Sequence, residues 1–368
     1  MTEILEAPTT NRPSRSGRGI RRGSGAGRGT GRGTGPDGGP GRRGPLAAAL
    51  GVLTSPKYGP VTVTGLLFVA IFVIGGFRYR GFFSGQVFLN LFVDNAYLIV
   101  LAVGMTFVIL TGGIDLSVGA VVALSGMIAA SLLQTGWSPG VVIPLILVLT
   151  SILGLLVGLM IHVFKVQPFI ATLAAMFLAR GLCYVISQSS ISITDPTFIQ
   201  LAVSRIPLGP GLSITPSVII ALVVVAIAVW VLHGTRFGRT VYAIGGGETS
   251  GLLMGLPVAR TKVLVYVISG FCSGLAGVLF TFYTLSGYPL TAIGTELDAI
   301  AAVVIGGTLL TGGYGFVLGS VLGVLVLGVI QTIITFEGTL SSWWTKIFIG
   351  ALLLVFIILQ KVLTARRR

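Results

Sequence analysis

A series of long apolar runs is the feature that most limits what this chain can fold into. A helix needs about 20 apolar residues to cross a bilayer, because the hydrocarbon core is about 30 Å thick and each residue adds about 1.5 Å. The sequence therefore predicts an all-α membrane protein, a polytopic helical bundle of about ten transmembrane helices. The predicted spans lie near residues 59–77, 88–111, 116–136, 140–163, 167–187, 215–233, 263–285, 297–311, 315–336 and 343–361.

The charge of the chain is concentrated in one tail. Only 9% of the 368 residues are charged, whereas soluble domains carry about 25%. The formal net charge is +14, and ten of the 24 Lys and Arg residues lie in residues 1–57. We predict that this Arg-, Gly- and Pro-rich segment is a disordered cytoplasmic tail, with contact to anionic membrane lipid as the alternative. No nucleic-acid partner is expected, because no aromatic residue for base stacking precedes Tyr58.

The placement of basic residues predicts an orientation. Cytoplasmic loops carry an excess of Lys and Arg, so the tail places the N-terminus in the cytoplasm. An even number of spans then returns the basic C-terminus, residues 365–368, and the basic loop 235–262 to the same side. We expect a multi-pass protein of the cytoplasmic (inner) membrane with residues 58–364 as its transmembrane domain. No small-residue cleavage site follows the first apolar run, so we expect it to remain as the first span.

Two glycine-rich segments resemble each other. Residues 111–121 read TGGIDLSVGAV and residues 311–321 read TGGYGFVLGSV, which suggests an internal repeat of two parallel halves. Broken or re-entrant segments at corresponding positions of two halves point to a transport pathway. The alternative is that such turns are common in a chain with 54 glycines. The glycines predicted to break helices are Gly112, Gly113, Gly312 and Gly313.

Few polar groups lie inside the apolar runs, and they are the candidates for a solute pathway. Asp115 and Asp298 each open a predicted span, and an acid there is either a helix cap or a pathway group. Ser117 and Asn95 are the neighbouring polar candidates. Arg180 lies deep in the fifth predicted span, where it needs an acidic partner or a place inside the bundle.

Sequence motifs for soluble enzyme chemistry do not occur. The chain lacks GxxxxGK[ST], so we expect no nucleotide site, no cofactor and no enzyme activity in this chain. Two Cys and two His residues give no metal site and no catalytic residues. An ion-coupled secondary transporter of a small polar solute remains open as an alternative to a transporter driven by a partner.

The loop at residues 235–262 is polar yet patterned. Glu248 follows three glycines and suits the first turn of a short helix, because the helix dipole favours an acid there. Gly255 would end that helix and Pro257 would stop it. A short helix of this kind is suited to docking a partner, although a plain connector is the alternative.

Within this loop, FGRTVYAIGGGETSGLLMGLPV (237–258) resembles the cytoplasmic loop of permease subunits of binding-protein-dependent ABC sugar importers, in the ribose, xylose and galactofuranose branch. Glu248, Gly255 and Pro257 match the Glu, Gly and Pro of that family's coupling helix, whereas Gly247 stands where the family usually has Asn. Residues 104–119, 167–181 and 296–315 resemble further family blocks in the same order. The resemblance covers residues 60–364. It assigns coupling to an ATPase to Gly238, Arg239, Glu248, Gly255 and Pro257.

A narrower resemblance concerns the C-terminal part. FEGTLSSWWTKIFIG (336–350) is most similar to the galactofuranose-type permease, whose importer pairs two different permease chains. The family implies ABC ATPase subunits on the cytoplasmic side, an extracytoplasmic sugar-binding protein and a second permease chain, in a homo- or heterodimer. It further implies ATP-driven import of a monosaccharide, galactofuranose or a ribose-like sugar.

Overall fold

The computed structural model describes residues 59–339 and 343–365, and within them the chain forms thirteen helices and four short strands. The predicted tail 1–57 and the terminal residues 366–368 lie outside the described residues. The helices are α1 Gly59–Arg78, α2 Gly85–Leu110, α3 Val118–Gln134, α4 Pro139–His162, α5 Pro168–Ile186, α6 Pro196–Val203, α7 Pro216–Gly234, α8 Arg236–Gly246, α9 Glu248–Leu253, α10 Val258–Thr284, α11 Thr295–Ile305, α12 Val317–Glu337 and α13 Trp343–Ala365. The strands are β1 Ile191–Ser192, β2 Ile206–Gly209, β3 Leu212–Ile214 and β4 Ser286–Gly287.

The polytopic helical bundle predicted from hydropathy is confirmed, since each of the ten predicted spans contains a helix. Seven helices of the described residues are long and apolar enough to cross a membrane, namely α1, α2, α4, α5, α7, α10 and α12. Helix α3 and the apolar part of α13, Trp343–Ile358, are shorter. The eighth predicted span, 297–311, differs most. Its helix α11 has 11 residues and is about 17 Å long, roughly half of the hydrocarbon thickness.

Helix α11 ends early because glycines follow it. Gly306 caps the helix, and Gly307 has a φ of +91°, a left-handed conformation that ends a helix at little cost only for glycine. Gly306 also packs against the backbone of Gly319 in α12, so a side chain has no room at this position. The apolar run continues in the sequence, but the helix does not.

The helix connections define two faces of the bundle, which we name by their contents. The loop face carries α8 and α9. The strand face carries both strand pairs, in which Ile191 of β1 is opposite Gly287 of β4 and Ile206 of β2 is opposite Ile214 of β3. At the strand face the Tyr79 hydroxyl donates a hydrogen bond to Glu337, and this bond raises the pKa of Tyr79 above its ordinary value. Helices α1 and α12 are thereby joined at this end.

Helix α2 is the centre of the bundle. Every residue from 98 to 110 is buried, and the helix packs against α7, α10, α11 and α12. Helix α1, in contrast, exposes large apolar side chains such as Leu66, Ile74 and Phe77. A helix that is apolar and exposed suits contact with lipid or with another membrane protein.

Helices α4 and α10 approach each other through glycines. Each carries a GxxxG pattern, Gly154 and Gly158 on α4 and Gly270 and Gly274 on α10. A Cβ atom at Gly270 would overlap the Thr150 carbonyl oxygen and would lie 3.1 Å from the Gly154 Cα. Small residues permit such close backbone contact, which is a main source of helix association in membranes.

Candidate functional site

Helix α8 lies along the loop face with one side buried. Thr235 caps its first turn, since the Thr235 Oγ1 accepts a hydrogen bond from the Gly238 N–H at 3.2 Å. Val241 and Ile244 face the bundle, whereas Arg239 is exposed. A Cβ atom at Gly238 would overlap the backbone of Leu232 at the end of α7. Of the residues predicted to couple to an ATPase, Gly238 thus lies at a tight internal turn and Arg239 on the surface.

The predicted short helix is present as α9. Glu248 lies in its first turn, Gly255 follows it with a φ of +73°, and Pro257 precedes α10. The Lys262 Nζ donates to the Glu248 Oε2 at 2.6 Å, so an ion pair holds α9 against the start of α10. The sequence analysis missed this pair because the two residues are separated by a turn and belong to different helices.

An exposed apolar patch forms the end of α9. It consists of Leu252, Leu253 and Met254, and the Leu253 side chain is 90% exposed. Three consecutive exposed apolar residues in a polar loop mark a contact surface. The sequence analysis did not single them out, although the apolar run LLM stands between Gly251 and Gly255 in the sequence.

The two TGG turns lie next to each other at the loop face. The Gly313 N–H donates to the Leu110 carbonyl at 2.9 Å, which joins the second turn to the end of α2. Gly112, Gly312 and Gly313 have φ values of +78°, +83° and +76°. Gly113 lies in the same segment, and a Cβ there would be 2.5 Å from the Tyr266 hydroxyl. One turn joins α2 to α3 and the other joins α11 to α12.

Asp115 and Ser117 form a buried link between the first turn and α10. The Asp115 Oδ1 accepts from the Ser117 N–H at 3.0 Å and from its hydroxyl at 2.6 Å. The other oxygen, Oδ2, accepts from the Ser269 hydroxyl at 2.7 Å. Helix α3 begins at Val118 with Ser117 at the cap position. Asp115 therefore precedes the N-cap by two residues and supports the turn rather than capping the helix directly.

A polar cavity of about 420 Å³ opens between α2, α10 and α12, toward the strand face. A neighbouring cavity of about 590 Å³ shares Asn95, Tyr97, Phe280 and Gln331 with it. Both cavities combine polar side chains with aromatic rings, and the larger one also has an aliphatic wall formed by Leu98, Leu290, Ile293, Leu327 and Ile349. Their polar and aromatic lining includes Asn90, Asp94, Asn95, Tyr97, Phe280, Tyr283, Asp298, Gln331, Thr332, Thr335, Trp343 and Lys346.

The structure brings two of the four predicted pathway residues to these cavities. Asn95 is buried, and its Nδ2 donates to the Leu91 carbonyl at 2.9 Å. Asp298 binds Lys346 of α13 through both carboxylate oxygens, at 2.7 and 2.9 Å. Asp115 and Ser117 are not among the residues that line them. The pair of Asp298 and Lys346 had no signal in the sequence, since 48 residues separate its members.

Arg180 finds backbone partners instead of an acid. Its guanidinium donates to the carbonyl oxygens of Pro289 and Thr291, the latter at 2.8 Å. Of the two alternatives expected for Arg180, the described residues show no acidic partner but a half-buried side chain, because the irregular segment between β4 and α11 supplies carbonyl groups to this guanidinium. Arg180 thereby joins the end of α5 to the approach to α11.

Comparison with known proteins places the chain in a family. Residues 87–357 match the family model described as "Branched-chain amino acid transport system / permease component". The chain belongs to this family of permease components. Helices α8 and α9, both TGG turns and the lining of both cavities all fall within the matched range of the permease.

Curated relatives of the permease are similar over most of their length. The chain is 47% identical to the inner membrane ABC transporter permease protein YjfF of Escherichia coli K12, over 81% of this chain and 92% of that protein. It is 43% identical to the fructose import permease protein FruG of Bifidobacterium longum, over 83% and 92%. It is 38% identical to the ribose import permease protein RbsC of Haemophilus influenzae, over 78% and 88%. No solved structure matches the permease significantly.

Proposed function

We propose that the chain is the pore-forming permease subunit of an ATP-driven importer that moves a monosaccharide, galactofuranose or a ribose-like sugar, across the cytoplasmic membrane. The observation that carries the sugar assignment is the similarity to relatives named as fructose and ribose import permeases, at 43% and 38% identity. The description of the family model, in contrast, names the transport of branched-chain amino acids. The lining of the smaller cavity supports the sugar assignment.

The lining of the smaller cavity favours a polyol over a branched-chain amino acid. A zwitterion with an apolar side chain requires its polar partners at one end and an apolar pocket at the other. Here hydrogen-bonding groups occur on several walls, with Asn90 and Asn95 on α2 and Gln331 and Thr335 on α12. A sugar carries hydroxyl groups around its ring and C–H groups on its faces. Rings such as Tyr97 suit those faces, because an aromatic side chain combines an apolar face with a polar end.

The narrower assignment to a galactofuranose-type sugar rests on residues 336–350. This stretch contains the end of α12 and the start of α13, and Trp343, Thr345 and Lys346 within it line the larger cavity. The residues that carry the narrower resemblance are thus positioned where a solute would contact them. A ribose-like sugar remains the second choice, because relatives named for ribose match most of the chain.

The proposed partners fit the two faces. We assign the loop face to the cytoplasm, because the tail 1–57 with its ten basic residues precedes α1 on that side. ABC ATPase subunits, which would hydrolyse ATP in place of this chain, then dock on α9 and its apolar patch. The extracytoplasmic sugar-binding protein docks on the strand face, above the cavities. A second permease chain, identical or different, completes the pore, and the tail contacts membrane lipid.

Reconstitution in proteoliposomes tests the proposal. The chain is combined with the ATPase, the second permease and the binding protein that neighbouring genes are expected to encode. Uptake of labelled galactofuranose, ribose and leucine is then measured with and without ATP. We expect ATP-dependent uptake of a sugar and none of leucine. Uptake by this chain alone under an imposed ion gradient would instead identify an ion-coupled transporter.

Two variants test the coupling role of the loop. Glu248→Arg breaks the ion pair with Lys262, and Gly255→Trp strains a left-handed position. We expect both to insert normally and to hydrolyse ATP without matching uptake. The double variant Glu248→Arg with Lys262→Glu restores an ion pair in which the two charges are exchanged, and it serves as the matched control. Unchanged uptake per ATP hydrolysed in both single variants would contradict the coupling role.

A further inference from the structure

The docking segment and both TGG turns meet at one point of the loop face, where four glycines lie close together. A Cβ atom at Gly312 would lie 2.7 Å from the Gly112 nitrogen and 3.0 Å from the Gly245 Cα. One at Gly313 would lie 2.8 Å from the Gly246 nitrogen. The backbones of three segments that are distant in sequence are therefore in direct contact. We call Gly112, Gly245, Gly312 and Gly313 the glycine junction.

Gly245, in the last turn of α8, occupies the tightest position of the glycine junction. A Cβ atom there would overlap the Leu110 carbonyl oxygen and the Gly313 nitrogen, the two atoms joined by the hydrogen bond described above. It would also lie 2.8 Å from the Gly313 Cα. All of these are backbone atoms, which cannot rotate away as a flexible side chain does. A single methyl group must therefore move α8 or break the bond between the turn and α2.

Tyr242 adds a second link from the same helix. Its hydroxyl donates to the Gly315 carbonyl at 2.8 Å, in the segment that leads from the second turn into α12. At the predicted coupling residue Gly238, in contrast, the three atoms nearest to a Cβ position all belong to Leu232, at the neighbouring end of α7. Helix α8 thus reaches α2 and the start of α12 through Gly245 and Tyr242.

We propose that Gly245 and Tyr242 are positioning residues that transmit a displacement of the docking segment to α2 and α12. This inference rests on the proposed function, because it requires a partner that moves α9. The other ends of α2 and α12 carry Asn90 and Gln331, which line the cavity at the strand face. A helix is stiff enough to carry such a displacement from one face to the other. The glycine junction is then the point where motion of the ATPase enters the pore.

The test compares two adjacent glycines of α8. Gly245→Ala introduces the overlap, whereas no atom lies within 4 Å of a Cβ at Gly246, so Gly246→Ala is the matched control. Both substitutions raise helix propensity equally. The complete importer is reconstituted, and sugar uptake, ATP hydrolysis and ATPase association are measured. For Gly245→Ala we expect normal hydrolysis and association with uptake lower by about tenfold, the usual size of a coupling between sites.

Gly246→Ala is expected to stay within about twofold of the parent, as for a substitution without steric consequence. Tyr242→Phe keeps the ring, removes the bond to Gly315, and is expected to lower uptake per ATP in the same direction. An unchanged ratio of uptake to hydrolysis in Gly245→Ala would overturn the inference. If Gly245→Ala does not reach the membrane, the ratio of uptake to ATP hydrolysis is measured for Tyr242→Phe instead, and an unchanged ratio in that variant would overturn the inference.

Hydrogen exchange of the Gly313 amide provides a readout that does not depend on transport. Gly245→Ala should accelerate it by about tenfold through loss of the bond to Leu110, and Gly246→Ala should not. Equal exchange in both variants would overturn the transmission role. A parent complex without any ATP-dependent uptake would count against the proposed function instead, and the exchange data distinguish the two failures.

Discussion

Replacing Ser269 by alanine removes one hydroxyl group from the buried link between the first TGG turn and α10. Ser269 and Asp115 are both buried, at 0% and 4% exposure, and 2.7 Å separates the hydroxyl from the Asp115 Oδ2. Without this donor the buried Oδ2 loses the side-chain hydrogen bond that the structure shows for it. The Ser117 contacts to the other oxygen, Oδ1, remain in place.

The expected loss of stability is about 1.5 kcal/mol. Hydrogen bonds between membrane helices average about 0.6 kcal/mol and reach about 1.7 kcal/mol. A buried acceptor that loses its donor also costs its desolvation penalty, which places this loss near the upper end. A loss of about 1.5 kcal/mol shifts the ratio of folded to unfolded permease by roughly tenfold.

Ser273→Ala is the matched control, one turn further along α10. Ser273 is equally buried, but its hydroxyl donates only to the Ser269 carbonyl of its own helix, at 2.7 Å. Its removal should change stability by less than about 0.5 kcal/mol, since the helical backbone still satisfies that carbonyl. Both variants are unfolded by SDS titration in mixed micelles. Equal losses in the two variants, or no loss in Ser269→Ala, would refute the role assigned to Asp115.

Three further predictions concern packing, the cavity and docking. Gly154→Leu should abolish folded permease in the membrane fraction, because its Cβ atom would already overlap the α10 backbone. A Cβ atom at Gly181 meets no atom within 4 Å, so Gly181→Leu should accumulate normally. Lys346→Met leaves Asp298 without its ion-pair partner. Because the Lys346 side chain is half-exposed, we expect sugar uptake to fall by only about threefold. Lys346→Arg keeps the charge and should retain uptake. Leu253→Asp should weaken ATPase association in a pull-down by about tenfold through loss of apolar burial, and Leu201→Asp, equally apolar but on the strand face, should not.

Hydropathy located the helices well because a membrane span is defined by length and apolarity. It overestimated the eighth span, since an average over an apolar run does not detect that Gly306 and Gly307 end a helix within it. The short helix α9 was predictable because its signals, Glu248, Gly255 and Pro257, are local. The roles assigned to these residues in coupling remain predictions.

Contacts between segments that are distant in the chain could not be predicted from the sequence. The ion pairs of Glu248 with Lys262 and of Asp298 with Lys346 join different helices. The position of one partner in the sequence therefore does not predict the other. The repeated TGG segments were visible, but their contact with each other and with Gly245 depends on how three backbones fold together. Arg180 shows the same limit, because sequence reasoning looks for an acidic side chain and the fold supplied carbonyl groups.

The burial of α2 has a consequence for how the protein is made. Its neighbours α10 and α12 are synthesised late, and residue 317 follows residue 110 by about 200 residues, which takes on the order of 10–40 s at typical translation rates. During this interval Asn95 and Thr106, both buried in the finished bundle, must face lipid or the insertion machinery. Helix α2, which is synthesised before α10 and α12, thus reaches its final surroundings late, and we expect substitutions in it to lower the amount of protein in the membrane.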